Sequence, residues 1–272
     1  MKQIVLLIAY DGTNYCGFQF QPSKPTIQGE LENAIRKLTG ESLRAAAASR
    51  TDSGVHALGQ VVSFQTNSRL ESRIFVDGLN YYLPCDIVVK KAVLFEGGLD
   101  VRRSALGREY FYLILNETSR SPFLRRFSFL VRQRLDCSAM SEASRWLIGK
   151  HDFASFISQP QRLSTIREVH DAGVFHLKGK VIFYIKAGSF LPHQVRNIVG
   201  SLIEVGLGKM TAGDFHSIML RAKAGLGGPT VPPAGLFLRR IYYKDNFFGD
   251  LDESREDTNY QTCGYNKATF SC

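Results

Sequence analysis

The sequence predicts an α+β fold of two similarly ordered halves, the first a ferredoxin-like unit in which helices and strands alternate around an antiparallel sheet. Three observations carry this expectation: apolar runs of strand length at 4–10, 86–95 and 109–115, helical apolar stripes at 27–38 and 195–203, and a hairpin signal near Gly179.

In chain order, "IVLLIAY" reads as a first buried strand. "TIQGELENAIRKLTG" places Ile27, Leu31, Ala34, Ile35 and Leu38 on one helical face, with Thr26 as the opening cap and Gly40 as the stop. A strand follows around "QVVSFQT", then a helix from Arg69 to Leu83 and a strand at "DIVVKKAVLF". The second half repeats the order of elements without repeating the sequence. "EYFYLIL" is a strand, and Asp136 or Ser138 can cap a helix that runs to Leu147 and stops at Gly149. "DAGVFHLKGKVIFYIKA" is a hairpin turning near Gly179. "QVRNIVGSLIEVG" sets Val195, Ile198, Val199, Leu202 and Ile203 on one core-facing stripe, "MTAGDFHSIMLRAKA" is a short further helix, and "GLFLRRIYY" closes the sheet. The expected organisation is a first half over 1–103, a second over 104–245, and a loosely ordered acidic tail over 246–272.

With 272 residues, 44% of them hydrophobic, the chain can bury a full core. Its formal charge of +9 is unevenly spread. The segment 246–272 has two basic and five acidic residues, so the rest carries +12. Eight arginines and no lysine lie between Arg102 and Arg134, against Glu109 and Glu117 alone. Such a field attracts polyanions, and arginine forks suit phosphates. Five scattered cysteines without a CxxC pair argue against a disulfide framework or a zinc site and for a reducing, cytoplasmic setting. The N-terminal apolar run is too short for a membrane span. "GLGGPT" at 225–230 lacks the lysine of a phosphate-binding loop, and the six histidines lack paired-ligand spacing, so neither a nucleotide cofactor nor a metal is expected. His193 reads as a capping or surface residue.

What remains conspicuous is "ASRTDSGVHALGQ", where Asp52 sits in a tight polar loop. Asp-Ser-Gly is also ordinary turn chemistry between strands.

The blocks "AYDGTNYCGFQFQP", "TIQGELENAIRKLTG", "SRTDSGVHALGQ", "GREYFYLI", "GKHDFASF", "SFLPHQVRNIVG" and "PPAGLFLRRIYY" resemble, in order and spacing, the TruA family of tRNA pseudouridine synthases from about Lys2 to Tyr243. The resemblance implies a cofactor-free, metal-free isomerase that converts uridine to pseudouridine at positions 38, 39 and 40 of the tRNA anticodon stem-loop. It also implies a homodimer, and two ferredoxin-like halves whose antiparallel sheets join across a basic central cleft. Carried over residue by residue, Asp52 falls on the catalytic aspartate, Arg50 on the arginine two places before it, Tyr110 on the active-site tyrosine and Arg196 on the arginine that pairs with the aspartate. Ser49 stands where glycine is usual, Ser53 where alanine is common, Phe18 where tryptophan is frequent, and Gln194 where methionine often sits. Glycine in place of Ser49 can serve a backbone angle that serine reaches only with strain.

These assignments make physical sense. Moving a glycosidic bond from nitrogen to carbon calls for a nucleophile or base, and a carboxylate held dry against a ribose needs a cation such as Arg196 beside it. Arg50 can reach a phosphate or hold the place of an extruded base. Tyr110 alternates with Tyr112 along its strand, so both hydroxyls are expected in the cleft, Tyr110 stacking on the uracil. The competing reading is a non-catalytic RNA-binding protein with paired RRM-like sheets; it lacks the expected RNP1-type stretch and has no use for the loop aspartate.

Overall fold

The computed structural model describes residues 1–95, 98–159 and 164–248. Ten strands form one mostly antiparallel sheet, accompanied by five α-helices among these residues. The elements are β1 (Lys2–Tyr10), α1 (Ile27–Thr39), β2 (Ala46–Ala47), β3 (His56–Thr66), α2 (Ser72–Tyr82), β4 (Ile87–Phe95), β5 (Gly107–Leu115) and β6 (Phe129–Leu130). Then come α3 (Cys137–Arg145), β7 (Gly149–Asp152), β8 (Ile166–Leu177), β9 (Lys180–Ala187), α4 (Gln194–Gly206), α5 (Ala212–Leu220) and β10 (Leu236–Tyr242). The strand order is β4-β1-β3-β10-β5-β9-β8-β7, with β2 added to β3 and β6 to β5. The acidic tail expected over 246–272 falls, from residue 249 on, outside the described residues.

Local chemistry explains the helix ends. The Thr26 side chain accepts from the Gly29 N–H at the start of α1, and Gly40 closes it in the left-handed conformation. Asp136 caps α3 by accepting from the Ala139 N–H. That helix ends at Arg145, before Gly149, because the next three N–H groups turn to i−3 carbonyls: Trp146 to Ala143, Leu147 to Ser144 and Ile148 to Arg145. Gly149 opens β7 instead of stopping α3. The hairpin of β8 and β9 turns on Lys178 and Gly179, both at positive φ, as its two-residue connection requires. The α4 stripe of Val195, Ile198, Val199, Leu202 and Ile203 is buried throughout.

The last strand decides the architecture. β10 leaves the end of the chain to insert between β3 and β5, antiparallel to β5 but parallel to β3 through only two pairs, Phe237 with His56 and Leu238 with Ala57. Rings reinforce this thin seam. Phe111 stacks on Phe237 at 4.7 Å and Phe237 on His56 at 4.6 Å, while Phe127, from the arginine-rich segment, lies 5.2 Å from His56. Each such pair contributes about 0.5–1.5 kcal/mol beyond its buried area. The seam therefore fixes where the loop entering β3 sits relative to β5.

Several tyrosines are wholly or partly buried. Burial raises the hydroxyl pKa of Tyr10, Tyr15, Tyr110, Tyr112, Tyr242 and Tyr243 above the usual tyrosine range. Unfolded tyrosines ionise near pH 10, whereas these keep their protons in the fold to higher pH, so the folded state binds more protons above pH 10. Their contribution to stability is complete below that pH and is lost as pH rises through the folded values. The urea midpoint should be lower at pH 11 than at pH 9; equal midpoints would show that the hydroxyls titrate normally.

Candidate active site

The loop at 48–55 is held at both ends. The Ala48 N–H donates to the Val61 carbonyl, and the fully buried Gln60 clasps Ser49, accepting its N–H at 3.2 Å and donating to its carbonyl at 2.5 Å. Thr51 Oγ1 meets the Tyr10 hydroxyl at 2.8 Å, and the Thr51 carbonyl accepts from Phe18 N–H. The chain then turns: Val55 N–H returns to the Asp52 carbonyl, with Gly54 at φ +76. Asp52 is thus presented from a braced turn.

Arg108, on β5, braces the loop from across the sheet. It is one of the eight arginines of the basic run, yet it is buried, and it donates to four carbonyls: Ala105, Gly188, Ala48 and Arg102. Desolvation lowers its pKa, and the carbonyls replace the lost water. The other seven arginines of that run are exposed.

Asp52 lies at the N-terminal end of α4. Arg196 Nη1 is 3.6 Å from Asp52 Oδ2, with the arginine side chain 14% exposed and the aspartate 34%. This distance is an ion pair rather than a hydrogen bond. The free carboxylate is therefore less enclosed than the dry pocket expected from sequence. Arg196 Nε donates to the Val231 carbonyl at 2.7 Å, which aims the guanidinium. Gly200, one turn on, admits the 229–233 loop: a Cβ there would lie 1.9 Å from the Pro229 carbonyl oxygen. His193 holds the capping position that the sequence suggests and also reaches Asp52, which the sequence did not suggest. It caps α4 through its backbone in the left-handed region, φ 58, and its Nε2 stands 3.6 Å from Asp52 Oδ2. A non-glycine residue in that conformation is uncommon and concentrates at functional sites. Only the fold reveals this, since in sequence it is one more polar residue at a helix start.

Tyr110 and Tyr112 share a face of β5 but not a role. Tyr110 is 6% exposed, its ring is set edge-on to Phe190 at 5.2 Å, and its hydroxyl lies 2.9 Å from Ser49 Oγ. Burial pushes its pKa up to about 12, with the Ser49 bond acting the other way, so the phenol is protonated at neutral pH. Tyr112 is fully buried and donates to the Pro232 carbonyl, which takes it out of the cleft where sequence placed it. Its position beneath the 229–233 loop leaves no path to solvent. Ser49 is not at positive φ, so it carries none of the strain considered for a glycine site.

The resulting cleft has a volume of about 660 Å³. Among the described residues Arg50, Arg102, Arg108, Arg167 and Arg196 line it, and Asp52 is the single acidic one. Arg50 is exposed at its mouth.

Such a cleft can hold a polyanion against a carboxylate. The family described as tRNA pseudouridine synthase matches residues 6–96 and 143–244. A tRNA pseudouridine synthase A of Blochmanniella pennsylvanica is 40% identical over 248 residues, 91% of this chain and 95% of that protein. Those of a Thermoanaerobacter species and of Myxococcus xanthus are 39% and 38% identical, over 89% and 90% of this chain and 100% and 93% of theirs. The chain belongs to the tRNA pseudouridine synthase family and is an isomerase acting on tRNA.

Proposed function

We propose that this enzyme converts uridine to pseudouridine at positions 38, 39 and 40 of the tRNA anticodon stem-loop, with Asp52 as the catalytic carboxylate acting on a flipped-out uridine. The observation that carries this reading is that Asp52 is, among the described residues, the one acid of an arginine-lined cleft, 3.6 Å from both Arg196 and His193. The net change breaks the C1′–N1 bond, forms C1′–C5, places a proton on N1 and releases the C5 proton. A carboxylate serves each route to that product: attack at C1′, attack at C6, or removal of a sugar proton. Arg196 pairs with the carboxylate and orients it as the substrate closes over it. The protonated Tyr110 stacks on the uracil and offers a hydrogen bond, and Arg50 fills the place of the extruded base or binds a phosphate. We read the sheet as two ferredoxin-like halves meeting at the β3–β10 seam, in a cytoplasmic homodimer that needs neither cofactor nor metal.

The test uses unmodified tRNA carrying tritium at uridine C5. Release of label, one equivalent per pseudouridine, is expected, and sequencing should place the product at 38, 39 or 40. A protein that binds this tRNA and releases no label would be the RNA-binding alternative.

The basic segment gives a separate expectation. Arg125 and Arg126 are exposed beside Phe127, which anchors their loop to the seam. Replacing both by glutamine should weaken tRNA binding and flatten its salt dependence, leaving single-turnover chemistry at saturating tRNA little changed. An unchanged salt slope would mean that they face away from the RNA.

A further inference from the structure

The five arginines of the cleft are more than its one carboxylate needs, and their partners divide them. Arg196 is paired with Asp52 and Val231. Arg108 is consumed by four carbonyls, and Arg50 stands on the aspartate loop itself. Arg102 and Arg167 remain. Arg102 is exposed in the turn before β5; the nearby Asp100 carboxylate accepts the Arg102 and Arg103 N–H groups, but its ion pair is with Arg103, at 3.6 Å. Arg167, on β8, gives Nη1 to the Ser164 and Ile166 carbonyls at 2.8 and 2.7 Å. Its Nε is buried with no acceptor among the described residues.

We propose that Arg102 and Arg167 form a phosphate clamp at the rim of the cleft, gripping the phosphodiesters on either side of the target uridine. This rests on the function proposed above and assigns it a backbone-recognition site. A guanidinium tethered through Nη1 at the wall of the cleft still has donors to offer phosphate oxygens. Its partial burial makes leaving it unpaired costly and lowers its pKa, and an incoming anion relieves both effects. Arg102 is set by the same buried group that sets the loop: Arg108 Nη2 donates to the Arg102 carbonyl at 2.7 Å and to the Ala48 carbonyl at 3.0 Å. The rim and the root of the Asp52 loop therefore keep a fixed offset. An extruded nucleotide has lost the stacking that oriented it, and holding both of its phosphates restores that orientation over the carboxylate.

The experiment compares Arg102→Gln, Arg167→Gln and Arg167→Lys with the unaltered enzyme. The two RNAs are a native anticodon stem-loop and one whose two phosphodiesters flanking the target nucleotide are neutral methylphosphonates, with 2′-deoxy sugars at those linkages. On native RNA each glutamine variant should bind about ten-fold or more weaker. Its log–log salt slope should fall by about 0.7 to 0.9, the value for one phosphate contact. On the methylphosphonate RNA each variant should bind like the unaltered enzyme. Arg167→Lys should keep the salt slope, which controls for damage to the fold around Ser164. Unchanged binding of native RNA, or the same loss on both RNAs, overturns the clamp. Failure of the underlying function is read separately, as absence of tritium release from the unaltered enzyme.

Discussion

Replacing Asp52 by asparagine should abolish pseudouridine formation while leaving tRNA binding nearly intact. Asparagine preserves size and hydrogen-bonding capacity, and the loop is held by Gln60, Tyr10 and Arg108 rather than by the carboxylate, so the fold has little reason to move. The variant removes the negative charge and the basic lone pair that every route to the product requires. The expected loss is on the order of 10³-fold or more in single-turnover rate. Binding should persist because RNA affinity resides mainly in phosphate contacts, and the cleft keeps all five arginines. Turnover near that of the unaltered enzyme would remove Asp52 from the chemistry. Lost binding together with lost activity would instead make it a structural residue.

Arg196→Met should produce the second large effect, about 10²-fold in single-turnover rate, the scale seen when one electrostatic partner of a reacting group is removed. The methionine keeps much of the aliphatic packing but deletes both the 3.6 Å ion pair to Asp52 and the Nε bond to Val231. Two further measurements separate these losses. Arg196→Lys retains a cation and should recover part of the rate, and guanidinium ion added to the methionine variant at non-denaturing concentration should do the same. If rescue fails with both while melting falls sharply, the residue acts through the 229–233 loop. If Arg196→Met turns over normally, His193, whose Nε2 stands 3.6 Å from the carboxylate, is the next residue to replace.

Much of this protein could be read before it was folded. The limits of α1 follow from Thr26 and Gly40, the β8–β9 turn from Lys178-Gly179, and the buried face of α4 from five apolar positions, since each is decided by residues within one or two turns of chain. The loop aspartate and the basic character of its surroundings were equally visible. Other features were closed to such reading. Arg108 looks like its seven exposed neighbours until four carbonyls from three segments surround it. Tyr110 and Tyr112 are equivalent by strand period, and only the overlying Pro232 loop and the Ser49 hydroxyl separate them. The short strands β2, β6 and β7 have too little pattern of their own and exist because a neighbour offers an edge.

Sequence by itself therefore determined the longer elements, the family resemblance and the presence of a loop aspartate in a basic chain. Tertiary structure alone decided that β10 enters between β3 and β5, that His193 turns back toward Asp52, and that Arg102 and Arg167 share a rim. The division has a physical cause. Period, caps and turns are set by the steric and hydrogen-bonding limits of adjacent residues, whereas the neighbours of a buried side chain are chosen by the packing of segments far apart in the chain, as His56 and Phe237 are. No local pattern carries that choice, because its free energy belongs to the assembled sheet.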